Sequence, residues 1–230
     1  MKRVGEASVA ERRDESRREE PPEFDAAFRQ KLLDLLRWRR DVRRFQRMPL
    51  PDGAIERLIS IACLSPSVGL SEPWRFVLVE DQARRAALRK CFGDCNREAL
   101  EMQSPDRAAL YARLKLAGLD DAPCQLAVFS DHGTAQGKGL GSLTMPETLD
   151  YSVVNAIHTL WLAARAENIG LGWVSILDPA RVALILDVPR TWTFIGHLCI
   201  GYPLAADDTP ALEREGWEHR HPPEGAVLYR

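Results

Sequence analysis

Between Arg37 and Arg44 the chain reads RWRRDVRR, five arginines around one carboxylate. Guanidinium groups recognise phosphate through planar, bidentate hydrogen bonds, so a cluster of them is a candidate phosphate cradle. Cations at the end of a helix also complement its dipole, and a solvated helix terminus explains the same run. The residues alone leave both readings open. Asp41, ringed by positive charge, is expected to be ionised at neutral pH. That suits a structural ion pair or a carboxylate that accepts a proton.

Two further segments have composition suited to a ligand. Leu64 to Trp74, LSPSVGLSEPW, reads as a tight loop between a helix stop and a strand, able to present N–H groups and small side chains to a flat molecule or to serve as an ordinary turn. Gly170 to Ile176, GLGWVSI, places glycines around an apolar strand with one hydroxyl, Ser175, expected to be buried and bonded to backbone. No G-x-S-x-G elbow surrounds that serine, so a Ser-His-Asp hydrolase is not supported. Of the five cysteines, Cys63, Cys124 and Cys199 sit among apolar neighbours and are expected to be buried thiols in a reducing compartment. The histidines lack metal-ligand spacing, and no metal site is expected.

The elements that must position these residues follow from periodicity. Phe24, Phe28, Leu32, Leu35 and Leu36 recur at helical spacing within residues 24–40. A second helix follows Pro51, with Asp52 as its expected N-cap and Ile55, Leu58, Ile59 and Ala62 on one face. Strands are expected at 75–80, 124–130, 171–177 and 193–201, with helices at 82–91, 97–117 (interrupted around Ser104-Pro105) and 151–167. Asp178 and Pro179 open a short helix as N-cap and first-turn proline. The Gly-rich stretch 131–144 reads as a loop lying over something, and residues 226–229 as a strand added elsewhere, for instance to a partner subunit. The sum is an α+β domain over residues 24–230, a small central sheet of about four strands enclosed by helices. Residues 1–23 form a charged leader expected to be disordered. Gly137, Gly139 and Gly141 follow no clear strand and open no helix, so a dinucleotide-binding fingerprint is not expected there.

A net charge of −2 gives no reason to expect a nucleic-acid partner. No apolar run approaches the roughly 20 residues of a membrane span, and the charged start lacks a secretory h-region, so a cytoplasmic protein is expected.

Taken in order, the arginine-rich turn, the Ser65-Pro66-Ser67-Val68-Gly69 loop leading to Pro73-Trp74, and the late Gly172-Trp173-Val174-Ser175-Ile176 strand resemble the flavin nitroreductase superfamily. Arg39-Arg40-Asp41-Val42-Arg43, Asn96 with Glu98-Ala99 and Glu101-Met102, Leu114-Lys115-Leu116, Tyr151-Ser152, Trp161 to Glu167, and Gly216-Trp217 resemble one branch of it, the 5,6-dimethylbenzimidazole synthases. Asp41 is the specific residue, because ordinary nitroreductases usually carry serine there.

The resemblance implies a nitroreductase-like fold, an intertwined homodimer and FMN at the subunit interface. It assigns cofactor binding to Arg39, Arg40, Asp41, Val42, Arg43, Pro66, Ser67, Gly69, Met102, Lys115, Leu171, Gly172 and Trp173. Of these, Ser67 to Gly69 would reach the ring from the partner subunit, and Met102 would belong to a lid. The implied reaction consumes reduced FMN with O2, yielding 5,6-dimethylbenzimidazole and erythrose 4-phosphate. Asp41 would serve in proton transfer and Ser175 would assist by hydrogen bonding, with reduced flavin supplied by an external flavin reductase. A conventional NAD(P)H-dependent nitroreductase and a non-catalytic flavin-binding protein are the alternatives. One departure is Gly141-Ser142, where the family usually has Gly-Arg.

Overall fold

The strand at the centre of this fold, Cys124–Asp131, buries both its faces, and the helices are arranged to cover them. The structure, a computed structural model, describes residues 21–113 and 118–230. The elements run α1 (Ala26–Trp38), α2 (Ala54–Ala62), β1 (Trp74–Leu78), α3 (Gln82–Glu101), α4 (Pro105–Arg113), α5 (Gly118–Asp121), β2 (Cys124–Asp131), α6 (Thr148–Ala166), β3 (Gly170–Val174), α7 (Pro179–Leu186), β4 (Trp192–Gly201) and α8 (Ala211–Arg214). The four strands form one antiparallel sheet in the order β1-β2-β4-β3. The α+β architecture and the four strands agree with the periodicity.

The period of two along β2 sorts its side chains onto two cores. Leu126 and Val128 join Leu58 of α2 and Val153, Ile157 and Leu160 of α6 on one face. Ala127 and Phe129 join Leu88 of α3 and Val182 of α7 on the other. The one-in-three-or-four spacing of the buried α6 residues lays that helix along the sheet. Burying each such side chain stabilises the fold by about 1.5–3 kcal/mol.

Several local expectations are corrected. Asp52 does not cap α2; Gly53, in a left-handed conformation, is the N-cap and makes no side-chain cap bond. Residues 82–101 form one continuous helix: Gly93 alone does not break it, and no proline occurs before Pro105. β3 ends at Val174, so Ser175 lies beyond the strand and is exposed. Cys63 is exposed at the end of α2, whereas Cys124 and Cys199 are buried as expected, and all five thiols are free. Burial pushes the Cys124 thiol up to about 11. Asp178 caps α7 as expected, accepting from the N–H groups of Ala180 and Arg181. The 131–144 stretch is a loop that packs on the 64–74 loop: Gln136 Nε2 donates to the Leu70 carbonyl at 2.7 Å. Among the described residues, 227–229 pair with no strand. The leader lies outside the described residues except for 21–23, and no helix among the described residues is long and apolar enough to cross a membrane.

A polar chain crosses the second core. Gln125 Nε2 donates to the Leu119 carbonyl at 3.0 Å, which leaves its Oε1 to accept from His197 Nε2 at 3.1 Å. His197 is therefore the Nε2–H tautomer, fully buried, with Nδ1 unpartnered. Burial, and secondarily Arg85, lower its pKa to about 4. The unfolded chain, with an ordinary histidine near 6.5, binds the proton more tightly, so this residue makes stability rise with pH between about 4 and 6.5. Moving from pH 7 to pH 5 should cost the folded state about 2 kcal/mol through His197 alone. Urea unfolding at both pH values, at one protein concentration, should show that loss in the native chain and not in His197→Gln; equal losses would refute the assignment.

Candidate functional site

The first helix ends where its apolar spacing ends. Arg39 leaves α1 in an extended conformation, its N–H still bonded to the Leu35 carbonyl. Residues 40–45 then run beside β3: the Val42 N–H donates to the Leu171 carbonyl at 3.0 Å, and Asp41 Oδ1 accepts from the Trp173 N–H at 2.9 Å. On the other side the Leu204 N–H donates to the Arg44 carbonyl and the Gln46 N–H to the Tyr202 carbonyl. The arginine segment is thus held between β3 and the chain that follows β4.

This close approach requires a β3 edge bare of side chains. A Cβ on Gly172 would overlap the Val42 carbonyl oxygen, and one on Gly170 would come within 2.8 Å of Val42 Cγ2. Gly196 of β4 plays the same part for Trp173, whose indole lies against it. Trp173 in turn faces Trp161 at 6.4 Å between ring centroids, and the Arg39 guanidinium sits 4.4 Å over the Trp161 ring.

Beside this segment is a cavity of about 570 Å³, lined by Arg40, Asp41, Val42, Arg43, Arg44, Arg165, Leu171, Trp161 and residues 203–215 of the chain after β4. That volume lies within the range of small-ligand sites. Burial lowers the pKa of both Arg39 and Arg40, with the nearby Arg220 charge next in importance. The guanidinium groups remain cations and crowd one another, an arrangement that an anion relieves. Arginines together with the apolar side chains of Val42, Ile169, Leu171 and Leu204 give a lining that suits a ligand with a phosphate and a flat ring.

Asp41 departs from the electrostatic expectation. Its pKa is raised above the ordinary carboxylate value, because burial outweighs the Trp173 N–H and the charges of Arg43 and Arg39, which act in the opposite sense. Arg43 Nε lies 3.5 Å from Asp41 Oδ2, a long pairing. The arginines surround the carboxylate without fully compensating its loss of water.

The Nitroreductase family pattern matches residues 36–202. The chain is 55% identical over 201 residues to the 5,6-dimethylbenzimidazole synthase of Rhodospirillum rubrum, covering 87% of this chain and 95% of that protein. It is 47% identical to one from Rhodobacter capsulatus, covering 87% and 97%. The chain belongs to the nitroreductase family. Within it, the 5,6-dimethylbenzimidazole synthases are its relatives. The fold is shared more widely: a nitroreductase-like protein from Streptococcus mutans superposes with a TM-score of 0.67 at 18% identity, covering 88% of this chain and 98% of that one. Iodotyrosine deiodinase, solved with FMN and 3-iodo-L-tyrosine, gives 0.65 at 24% identity, covering 76% and 91%.

The nitroreductase fold gathers some expected site residues and separates others. Arg40, Asp41, Val42, Arg43 and Leu171 line the cavity, Arg39 and Trp173 flank Trp161, and Gly172 is buried against Val42. Pro66, Ser67 and Gly69 do not line it in this chain. Their loop is tied to α6 and to residues 131–144 instead: the Val68 N–H donates to Ser152 Oγ at 3.0 Å, and a Cβ on Gly69 would meet the Leu140 carbonyl at 2.7 Å. Met102 is exposed at the end of α3, Ser175 is exposed beyond β3, and Lys115 lies outside the described residues. Arg165, Asp207, Arg214 and Arg220 were missed as site residues. Trp161 and Arg165 stand four residues apart on α6, a spacing that puts both on one helix face, and that signal was available.

Asp41 has a structural duty that can be tested apart from chemistry. Asp41→Ala removes the acceptor of the Trp173 N–H and should cost about 1–3 kcal/mol of stability. Asp41→Asn keeps a carbonyl oxygen there and should lose less than half as much. Thermal unfolding of the two variants checks this; equal losses would mean the bond does not hold the segment.

Proposed function

We propose that this chain is a 5,6-dimethylbenzimidazole synthase: a cytoplasmic homodimer, with one FMN domain over residues 24–230, that consumes reduced FMN and O2 to give 5,6-dimethylbenzimidazole and erythrose 4-phosphate. The observation that carries the reading is Asp41, a carboxylate of raised pKa fixed by a backbone N–H inside an arginine-lined cavity. The names of the relatives at 43–55% identity support the same reaction.

Reduced flavin supplies the electrons for oxygen activation and is itself the molecule consumed. The chain supplies the rest. Arg39, Arg40 and Arg43 hold the phosphate and ribityl end, and Val42, Leu171, Gly172 and Trp173 form the wall along the ring. A carboxylate whose pKa is raised toward the working pH is a better proton acceptor than an ordinary one. Asp41 takes the proton near the ribityl carbon that is lost, and Ser175 assists by hydrogen bonding.

Support for the dimer comes from what this chain leaves uncovered. No residue of α1 is buried; Phe28, Leu32 and Leu36 are exposed along it, and Phe24 just before it. An apolar stripe of that length is the signature of an interface. In the dimer the partner brings Ser67 to Gly69 to the flavin, while Met102 belongs to a lid over it. Closure excludes water from the reacting flavin. An external flavin reductase delivers reduced FMN.

Aerobic incubation of the purified protein with chemically reduced FMN, followed by mass spectrometry, should yield 5,6-dimethylbenzimidazole. FMN recovered intact with rapid NADPH oxidation would identify a conventional nitroreductase, and intact FMN with no turnover a flavin-binding protein. Asp41→Asn should lower product formation at least about a hundredfold while FMN still binds. Ser175→Ala should slow the reaction less; the reverse order would overturn the division of roles.

A further inference from the structure

The chain after β4 does more than close the cavity. α8 ends in a Schellman turn: the Gly216 N–H donates to the Glu213 carbonyl and the Trp217 N–H to the Leu212 carbonyl at 2.8 Å, with Gly216 at φ +72°. The left-handed glycine swings Trp217 away from the cavity that Arg214 and Glu215 line. Its indole meets α4. The Tyr111 ring lies 6.1 Å from it between centroids, and the Arg107 guanidinium stands 5.2 Å from the ring centre. Tyr111 Oη then donates to Asn96 Oδ1 of α3 at 2.9 Å.

One short path therefore runs from the cavity wall to the α3–α4 corner. Among the described residues, α4 contributes none to the cavity lining. Arg40, at the cavity, donates through Nε to the Asp208 carbonyl at 2.7 Å, and Arg214 pairs with Asp207 at 2.9 Å. A bound anion that engages Arg40 or Arg214 bears directly on the segment that carries α8. α8 is only four residues long and has no buried residue, so little else fixes it.

We propose that Trp217 is a positioning residue: it clasps α4 to the cavity wall, so that filling the cavity orders α4. The clasp rests on the FMN reading of the cavity given above. It does not touch the reacting atoms. Its work is to transmit the seating of the phosphate end to a helix that would otherwise depend on its contacts with α3.

Hydrogen–deuterium exchange of the full-length protein, with and without saturating oxidised FMN, tests it. In the native chain FMN should slow exchange in residues 107–113. In Trp217→Ala that ligand-dependent slowing should vanish, while FMN affinity changes less than about threefold and sheet protection is kept. Trp217→Phe, which retains an aromatic platform, should restore it. Arg107→Ala, a change on the exposed side of α4, should weaken it by about twofold to fivefold, the usual weight of a cation–π contact, and decides the matter if Trp217→Ala fails to fold. Full slowing in Trp217→Ala or Arg107→Ala, or FMN binding without any slowing in the native chain, overturns the clasp alone. FMN that binds nowhere overturns the cavity reading and the clasp with it.

Discussion

Two backbone strands approach each other where Arg39 to Phe45 lies against β3, and the site depends on how close they come. Gly170 and Gly172 make the approach sterically possible, and the Val42 N–H and the Asp41 carboxylate fasten it. Any side chain at Gly172 would drive the arginine segment off the sheet. The arginines, the apolar wall and the chain after β4 are all hung on that contact. The fold thus spends two side-chain positions on emptiness so that a charged segment can be held in a defined place.

Electrostatics in the site are unbalanced by design of the sequence. Arg39, Arg40 and Arg220 oppose one another, and Asp41 is too poorly hydrated to neutralise them fully. An anionic ligand would complete the charge pattern. The unburied α1, which leads into the arginine segment, is an apolar counterpart of the same incompleteness.

Much of this was legible from residue patterns, and for identifiable reasons. The β-branched and aromatic runs marked all four strands, and Asp178-Pro179 announced α7 through chemistry local to the turn. The arginine cluster around Asp41 was visible as composition. Its electrostatic outcome was not, since burial depends on β3 and α6 folding over it and reverses the sign that the arginines alone would give. Likewise Ser175 was expected inside a strand because its apolar neighbours continue to Leu177, but the ladder stops where Val174 meets His197. Cys63 sits in an apolar run whose burial depends on how α2 is rotated. Arg220 lies far from the cluster in sequence and joins it only in three dimensions.

The two oxygens of Asp41 are not equivalent. Oδ1 is committed to the Trp173 N–H, and Oδ2 faces Arg43. A proton can settle on Oδ2 without loosening the backbone, whereas on Oδ1 it would undo the fold's own fastening. Once Oδ2 is protonated, Arg43 loses its competing carboxylate and turns its full charge on whatever anion occupies the cavity. On the role proposed for Asp41, proton uptake and the hold on an anion are connected in series through one side chain, because the arginines meet the anion unopposed once that carboxylate is protonated.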